Sequence, residues 1–191
     1  YRWSLSGNRC RFRAGVVDLS RSRARGCSGR WTTCRGSPHP LVVKQANGKG
    51  GMSGPLEGFR ILDLSQIVSG PFASLLLSDQ GADVVKVEPV DGQDVTRRQN
   101  FARGGLSAFY MNGNRGKRSI SVDLTCDDGR RILLDLAATA DVFIQNFRPG
   151  ACDRLGLGYS DVRAVNPDIV YVSISGYGPD GPYANRPVLD P

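Results

Sequence analysis

Residues 58–89, GFRILDLSQIVSGPFASLLLSDQGADVVKVEP, constrain this chain more than any other stretch. The apolar run Ile61-Leu62-Asp63-Leu64 reads as a strand, and small or polar residues follow at 65–70. Residues 71–79 then have helical spacing, with Phe72, Leu75, Leu76 and Leu77 giving a broad apolar face. Gly81 reads as a helix stop, and residues 82–87 return to strand character. Strand, loop, helix and strand in this length make a βαβ unit, which implies a parallel sheet with right-handed crossovers. Such sheets bind ligands at the carboxyl ends of their strands. The loop 65–70 is therefore the first candidate site.

The pattern continues downstream. Residues 91–105 are polar and contain Gly104 and Gly105 with Arg97, Arg98 and Arg103, a surface excursion of the kind that often carries function. Residues 107–111 are short and aromatic, and 112–118 read as a turn cluster with three cations. Ile120, Val122 and Leu124 alternate as in a half-buried strand. Thr125 or Asp127 is placed to cap a helix carrying Ile132, Leu133, Leu136 and Ala137. Strands are expected at 141–146 and 169–174, with short helices between them, the second capped by Ser160. The tail from Gly176 is dense in turn residues and leads into Asp190-Pro191. A loop leaving a central strand leads to further structure, so the reading here is the N-terminal part of a larger α/β domain.

Charge is distributed unevenly. Of the formal net charge of +7, residues 1–51 carry +10, from 11 Lys/Arg against the single acid Asp18. Residues 52–191 hold 14 basic and 17 acidic residues, a net of −3. The basic balance thus belongs to residues 1–51, and no nucleic-acid partner is expected for the rest. That leader has no sustained period; it reads as non-native or disordered sequence upstream of Met52, with an Arg-rich transit peptide and a functional basic arm as alternatives. No run of 18 apolar residues occurs, so no spanning helix or membrane partner is expected. Cytoplasmic placement is the expectation, or mitochondrial if residues 1–51 are a transit peptide.

Several chemistries have little support. The first loop lacks G-x-G-x-x-G, so Glu88, placed like a ribose-binding acid, does not make a dinucleotide site. No phosphate-binding P-loop motif occurs. The only histidine, His39, lies in the leader, and Cys126 and Cys152 have no partners at metal-ligand spacing, so no metal is expected. Carboxylates, hydroxyls and backbone amides remain. The cations at 115–118, Arg148 with Arg154, and the 97–103 arginines could bind a polyphosphate, or could simply be solvated surface. Asn146-Phe147 at a strand end offers an amide and an aromatic face.

Taken in order, these segments resemble the class III CoA-transferases, the family of formyl-CoA transferase, carnitine CoA-transferase and 2-methylacyl-CoA racemase. The resemblance runs through GPLEGFRILDLS at 54–65, SGP at 69–71, GADVVKVE at 81–88, NRGKRSI at 114–120, DVFIQNFRPG at 141–150, RLGLG at 154–158, SGYGPDGPY at 175–183 and RPVLD at 186–190. It implies a Rossmann-like parallel sheet, here stopping before a smaller second domain, and an interlocked homodimer. It implies acyl-CoA as substrate with a small carboxylic acid, dicarboxylic acids among the candidates, as partner, and no tightly bound cofactor. By position, Gln66 and Ile67 would lie near CoA and the reacting groups. Asn114, Lys117 and Arg118 would lie near its nucleotide part, and Asn146, Phe147 and Arg154 would contact adenine and phosphates. Asp190 matches the catalytic aspartate, which attacks the thioester to give a mixed anhydride. Val68 stands where formyl-CoA transferase has Gln, so the formyl/oxalate pair is not favoured. Leu189 stands where the racemases carry a proton-shuttling histidine, which leaves racemisation as the lesser alternative. A CoA-binding segment inactive by itself is the other.

Overall fold

The computed structural model describes residues 54–90, 94–99, 102–103 and 106–188, with backbone only at 102, 103 and 106. Leader residues 1–51 and Asp190 lie outside them. The first unit is β1 (Arg60–Asp63), α1 (Ser69–Asp79) and β2 (Asp83–Glu88). A 3-10 turn (Val95–Arg98) and the two-residue strands β3 (Ala102–Arg103) and β4 (Leu106–Ser107) follow, then α2 (Ala108–Asn114) and β5 (Arg118–Ser121). The last part holds α3 (Asp127–Ala137), β6 (Val142–Gln145), α4 (Ala151–Arg154), α5 (Tyr159–Val165) and β7 (Val170–Ser173).

Five strands form one parallel sheet in the order β5-β2-β1-β6-β7. The chain moves outward from β1 through β2 to β5, then returns across the sheet to β6 and β7. The reversal falls between β1 and β6, where Ile61 pairs with Val142 and Asp63 with Ile144. This is the strand order of the Rossmann-like expectation, and the gap above β1 and β6 is its topological switch point.

Alternating strand residues divide the core. Leu62, Val85 and Phe143 face α3 and α5, where Leu133, Ala137 and Val162 complete the larger cluster. Their neighbours Ile61, Val84 and Ile144 point to the other face, packed by Leu77 of α1. Both faces are covered, so β1, β2 and β6 read as continuous apolar runs. The broad face expected on α1 is narrower in fact: Leu75 is buried, but Phe72 and Leu76 are about half exposed.

Local chemistry moved some boundaries. α3 is capped by Cys126, whose sulfur accepts from Gly129 N–H, rather than by Thr125 or Asp127; Thr125 instead turns onto Asp123. α5 starts after Gly158, whose N–H donates to Asp161, so Ser160 is not its cap. Residues 108–114 are helical, because the Ser107 hydroxyl caps Tyr110 N–H and Asn114 folds back on the Tyr110 carbonyl.

Candidate functional site

The switch point is closed by a reciprocal amide pair. Gln66 N–H donates to Asn146 Oδ1 at 2.8 Å, and Asn146 Nδ2 returns a bond to the Gln66 carbonyl at 2.8 Å. An asparagine side chain thus matches a backbone amide across 80 positions of sequence. The loop after β1 is locked to the loop after β6. Ile67, next in line, has φ +69°, the single positive-φ non-glycine position among the described residues, and its side chain is 40% exposed. A β-branched residue in this region is strained, and such strain gathers at functional sites.

Beneath this loop lies a buried charge cluster. Asp63, Lys86, Asp94 and Lys117 are each at most 1% exposed. Asp63 accepts from Ser65 N–H at 2.9 Å, from the Ser65 hydroxyl, from Ser74 Oγ at 2.6 Å and from Lys117 Nζ at 3.0 Å. Lys117 spends its other protons on the Pro71 carbonyl at 2.8 Å and Asn114 Oδ1 at 3.0 Å. Lys86 Nζ donates to the Ser65 carbonyl and lies 3.7 Å from Asp94. Burial works against the Asp63 carboxylate, but the ammonium groups of Lys86 and Lys117 and the two serine hydroxyls outweigh it and hold its pKa below the usual range. Burial lowers Lys117 to about 8 despite Asp63, with repulsion from Lys86 adding to the effect. The two ammonium groups thus favour the Asp63 charge, while Lys86 works against the charge on Lys117.

A second buried carboxylate, Glu88, ends β2. Arg97 grips it through Nε and Nη2 at 2.5 and 2.7 Å, and the Tyr110 and Ser119 hydroxyls donate to it at 2.7 and 2.5 Å. Burial alone would raise its pKa; the bonds from Arg97, Ser119 and Tyr110 bring it below the ordinary value. Glu88 is therefore an internal anchor of the 94–99 segment, with its acceptors used.

Around the other side of β6 a cavity of about 250 Å³ opens at the strand ends. Gln145, Arg148, Tyr159, Tyr171 and Ser173 are among its walls. Gln145 is fixed by Ser173 and by Phe147 N–H, each at 2.8 Å. Tyr171 stacks on Phe143 at 5.1 Å and meets Tyr159 edge-on at 5.9 Å. Arg154 passes over Gly150, whose missing Cβ would lie 3.2 Å from its Nη1. Gly150 has φ +73° and also lines the cavity. Arg148 and Arg154 are exposed and make no ion pair among the described residues.

The residues singled out from sequence thus separate. Gln66, Ile67 and Asn146 come together at the switch point. Phe147 follows them but is half buried against the core. Arg154 lies beside Gly150, a wall residue of the neighbouring cavity, without lining the cavity itself. Asn114 and Lys117 are buried under the β1–α1 loop, with their side chains used internally. Arg118 turns toward Asp83 at the start of β2, donating from Nε and Nη2 at 2.8 and 2.5 Å, away from the carboxyl edge. Sequence reasoning missed Tyr159 and Tyr171 as cavity walls, and Asp63 and Lys86 as loop supports. For Lys86 a signal existed: a lysine inside Val84-Val85-Lys86-Val87, a strand otherwise built for full burial. Among the described residues no cluster of potential metal ligands occurs, and no helix is long and apolar enough to cross a membrane.

A Rossmann-ordered parallel sheet with a locked switch point and a strained loop above its strand ends defines an α/β protein. The sequence profile of CoA-transferase family III matches residues 56–191, and the chain belongs to that family. It is 43% identical over 138 residues to the probable fatty acyl-CoA transferase Rv3272 of Mycobacterium tuberculosis, covering 71% of this chain and 35% of that one. It is 44% identical over 137 residues to human succinyl-CoA:glutarate CoA-transferase, covering 71% of this chain and 31% of the relative. A crystal structure of Rv3272 superposes with a TM-score of 0.67 at 43% identity, over 72% of this chain and 38% of that one. The chain spans about a third of the length of the curated relatives it matches.

Proposed function

We propose that the protein carrying this chain transfers CoA from an acyl-CoA thioester to a small carboxylic acid, a dicarboxylic acid by preference. The observation that carries the reading is the locked switch point, Gln66 against Asn146, beside a cavity lined by Arg148, with Arg154 next to its wall residue Gly150; neither arginine has an ion-pair partner among the described residues. Ligands of this sheet type lie there, and guanidinium groups suit phosphates. Relatives support the chemistry: besides the human enzyme, one from Acetobacter aceti is an acetyl-CoA:oxalate CoA-transferase, 40% identical over 137 residues.

In this reading Gln66 and Ile67 form one wall of the thioester site. Asn146, Phe147 and Arg154, joined by Arg148, take the nucleotide end. Asn114 and Lys117 act from below by holding the loop, and Arg118 by fixing the start of β2. Asp190, assigned by the family resemblance, is the nucleophile. Its carboxylate attacks the thioester carbonyl, the C–S bond breaks, and CoA thiolate leaves with the electron pair. CoA thiolate then attacks the aspartyl carbonyl of the anhydride, releasing the donor's carboxylate and leaving an Asp190–CoA thioester. The acceptor carboxylate attacks that thioester, giving a second aspartyl anhydride and CoA thiolate, and thiolate attack on the acceptor's carbonyl yields the new acyl-CoA and restores the aspartate. Every intermediate is activated, so no nucleoside triphosphate is required. Backbone N–H groups must meet the tetrahedral oxyanions. The full-length protein acts as a homodimer in this reading.

The test is kinetic. Replacing both Arg148 and Arg154 by Met in the natural full-length protein is expected to raise KM for succinyl-CoA about tenfold or more with little change in kcat, as loss of uniform binding requires. An unchanged KM would remove the arginines from the site.

A further inference from the structure

Three buried side chains meet the backbone of the β1–α1 loop and of the first turn of α1. Lys86 donates to the Ser65 carbonyl, Asp63 accepts from Ser65 N–H, and Lys117 donates to the Pro71 carbonyl. The Ser65 hydroxyl is also held by Asp63. All polar atoms of Ser65 are thereby used from one side. Its Cβ is pressed by α1, since a Cβ on Gly70 would lie 2.1 Å away. The next residue is the half of the Gln66–Asn146 lock that the loop supplies, and the one after is Ile67 at φ +69°.

Such a backbone is costly for a β-branched residue. It persists where the surroundings over-determine it. Burying charges is itself costly, and an apolar core of equal volume is often as stable. The cluster adds what an apolar core cannot, charged groups that reach the Ser65 carbonyl and amide of the loop and the Pro71 carbonyl in the first turn of α1.

We infer that Asp63, Lys86 and Lys117 are positioning residues: they fix the Ser65–Gln66–Ile67 backbone in the form that receives the acyl-CoA, and they touch no substrate themselves. This rests on the CoA-transfer reading for its ligand, but not for its geometry. Displacing a loop of this kind by about 1 Å can cost a hundredfold in rate or affinity.

The experiment uses the natural full-length protein with Asp63→Asn and, because that variant leaves Lys117 buried without a charge partner, Ser65→Ala as well. Ser65→Ala removes one hydroxyl contact and is expected to fold. Three readouts are taken: KM and kcat with succinyl-CoA and glutarate, melting temperature, and amide hydrogen exchange across 65–69. The inference expects KM for succinyl-CoA to rise at least about tenfold in Ser65→Ala and further in Asp63→Asn. It expects faster exchange confined to 65–69, with the Ser65→Ala melting temperature nearly unchanged. Unchanged KM and unchanged local exchange, with only a lower melting temperature, would make the cluster purely structural and overturn the inference. If the wild-type protein transfers no CoA, the functional reading fails instead, and local exchange alone decides whether the cluster positions the loop.

Discussion

Ile67 and Glu88 show two ways in which a residue's setting decides its energy. At φ +69° glycine meets no Cβ penalty, whereas alanine does. Ile67→Gly and Ile67→Ala lose the same outer side chain, so their difference isolates the backbone. Ile67→Gly is expected to be the more stable by about 1 kcal/mol, the reverse of the usual order in regular structure. Urea denaturation of both variants measures this; an alanine variant at least as stable would mean that the loop is not strained there. Glu88 is a matter of charge. Its folded pKa lies below the ordinary value of 4.5. On acidification the unfolded chain therefore takes up this proton first. The stability that Glu88 contributes is complete above about 4.5 and is lost as pH falls through the folded value. Glu88→Gln is expected to cost about 3 kcal/mol at neutral pH, because Arg97 is left half buried without its partner. It should also flatten the acid limb of a plot of urea midpoint against pH. Equal slopes in wild type and variant would remove Glu88 from the acid response. At this scale the sequence was a poor guide: Arg97 reads as a loop cation and Glu88 as a strand-end acid with no assigned partner, yet each is satisfied by the other. Nothing local signals a pair nine residues apart whose meeting depends on the turn at 95–98.

The elements were far more legible. The strands at 60–63, 83–88, 142–145 and 170–173 all fall within or beside apolar runs visible in the chain. Their periods and bounding glycines are local signals. The helix at 108–114 was not legible, because Asn112, Gly113 and Asn114 all favour turns. It exists because Ser107 caps it and the Lys117 cluster binds Asn114. Gly129 makes the converse point. It lies in the first turn of α3, where alanine has the better intrinsic propensity by about 1 kcal/mol. A Cβ there would lie 1.8 Å from the Asp123 carbonyl oxygen. Gly129→Ala is therefore expected to destabilise by about 2 kcal/mol or more, read as a lowered melting temperature. A stabilised variant would show that the 122–126 turn can move aside.

For the whole molecule, the class of sheet followed from one βαβ unit, but the strand order did not. Order depends on β1 choosing β6 across about 80 residues, and that choice is made by core packing and by Asn146 meeting Gln66. Where to look for a site was legible once the strands were placed, since parallel sheets offer their carboxyl edge. The family was legible only through resemblance, and the family match over 56–191 shows it; the ligand proposed for the strand ends rests on that resemblance. β7 ends the sheet with Val170 58% exposed, and the relatives are about three times as long as the region matched. The central proposal for the full-length protein is acyl transfer through one carboxylate. Its most direct test is CoA exchange between succinyl-CoA and a panel of dicarboxylic acids, with the natural full-length protein and its Asp190→Ala variant. The expected result is exchange by the wild type and loss of at least about a thousandfold in the variant. Exchange retained in Asp190→Ala would contradict the account.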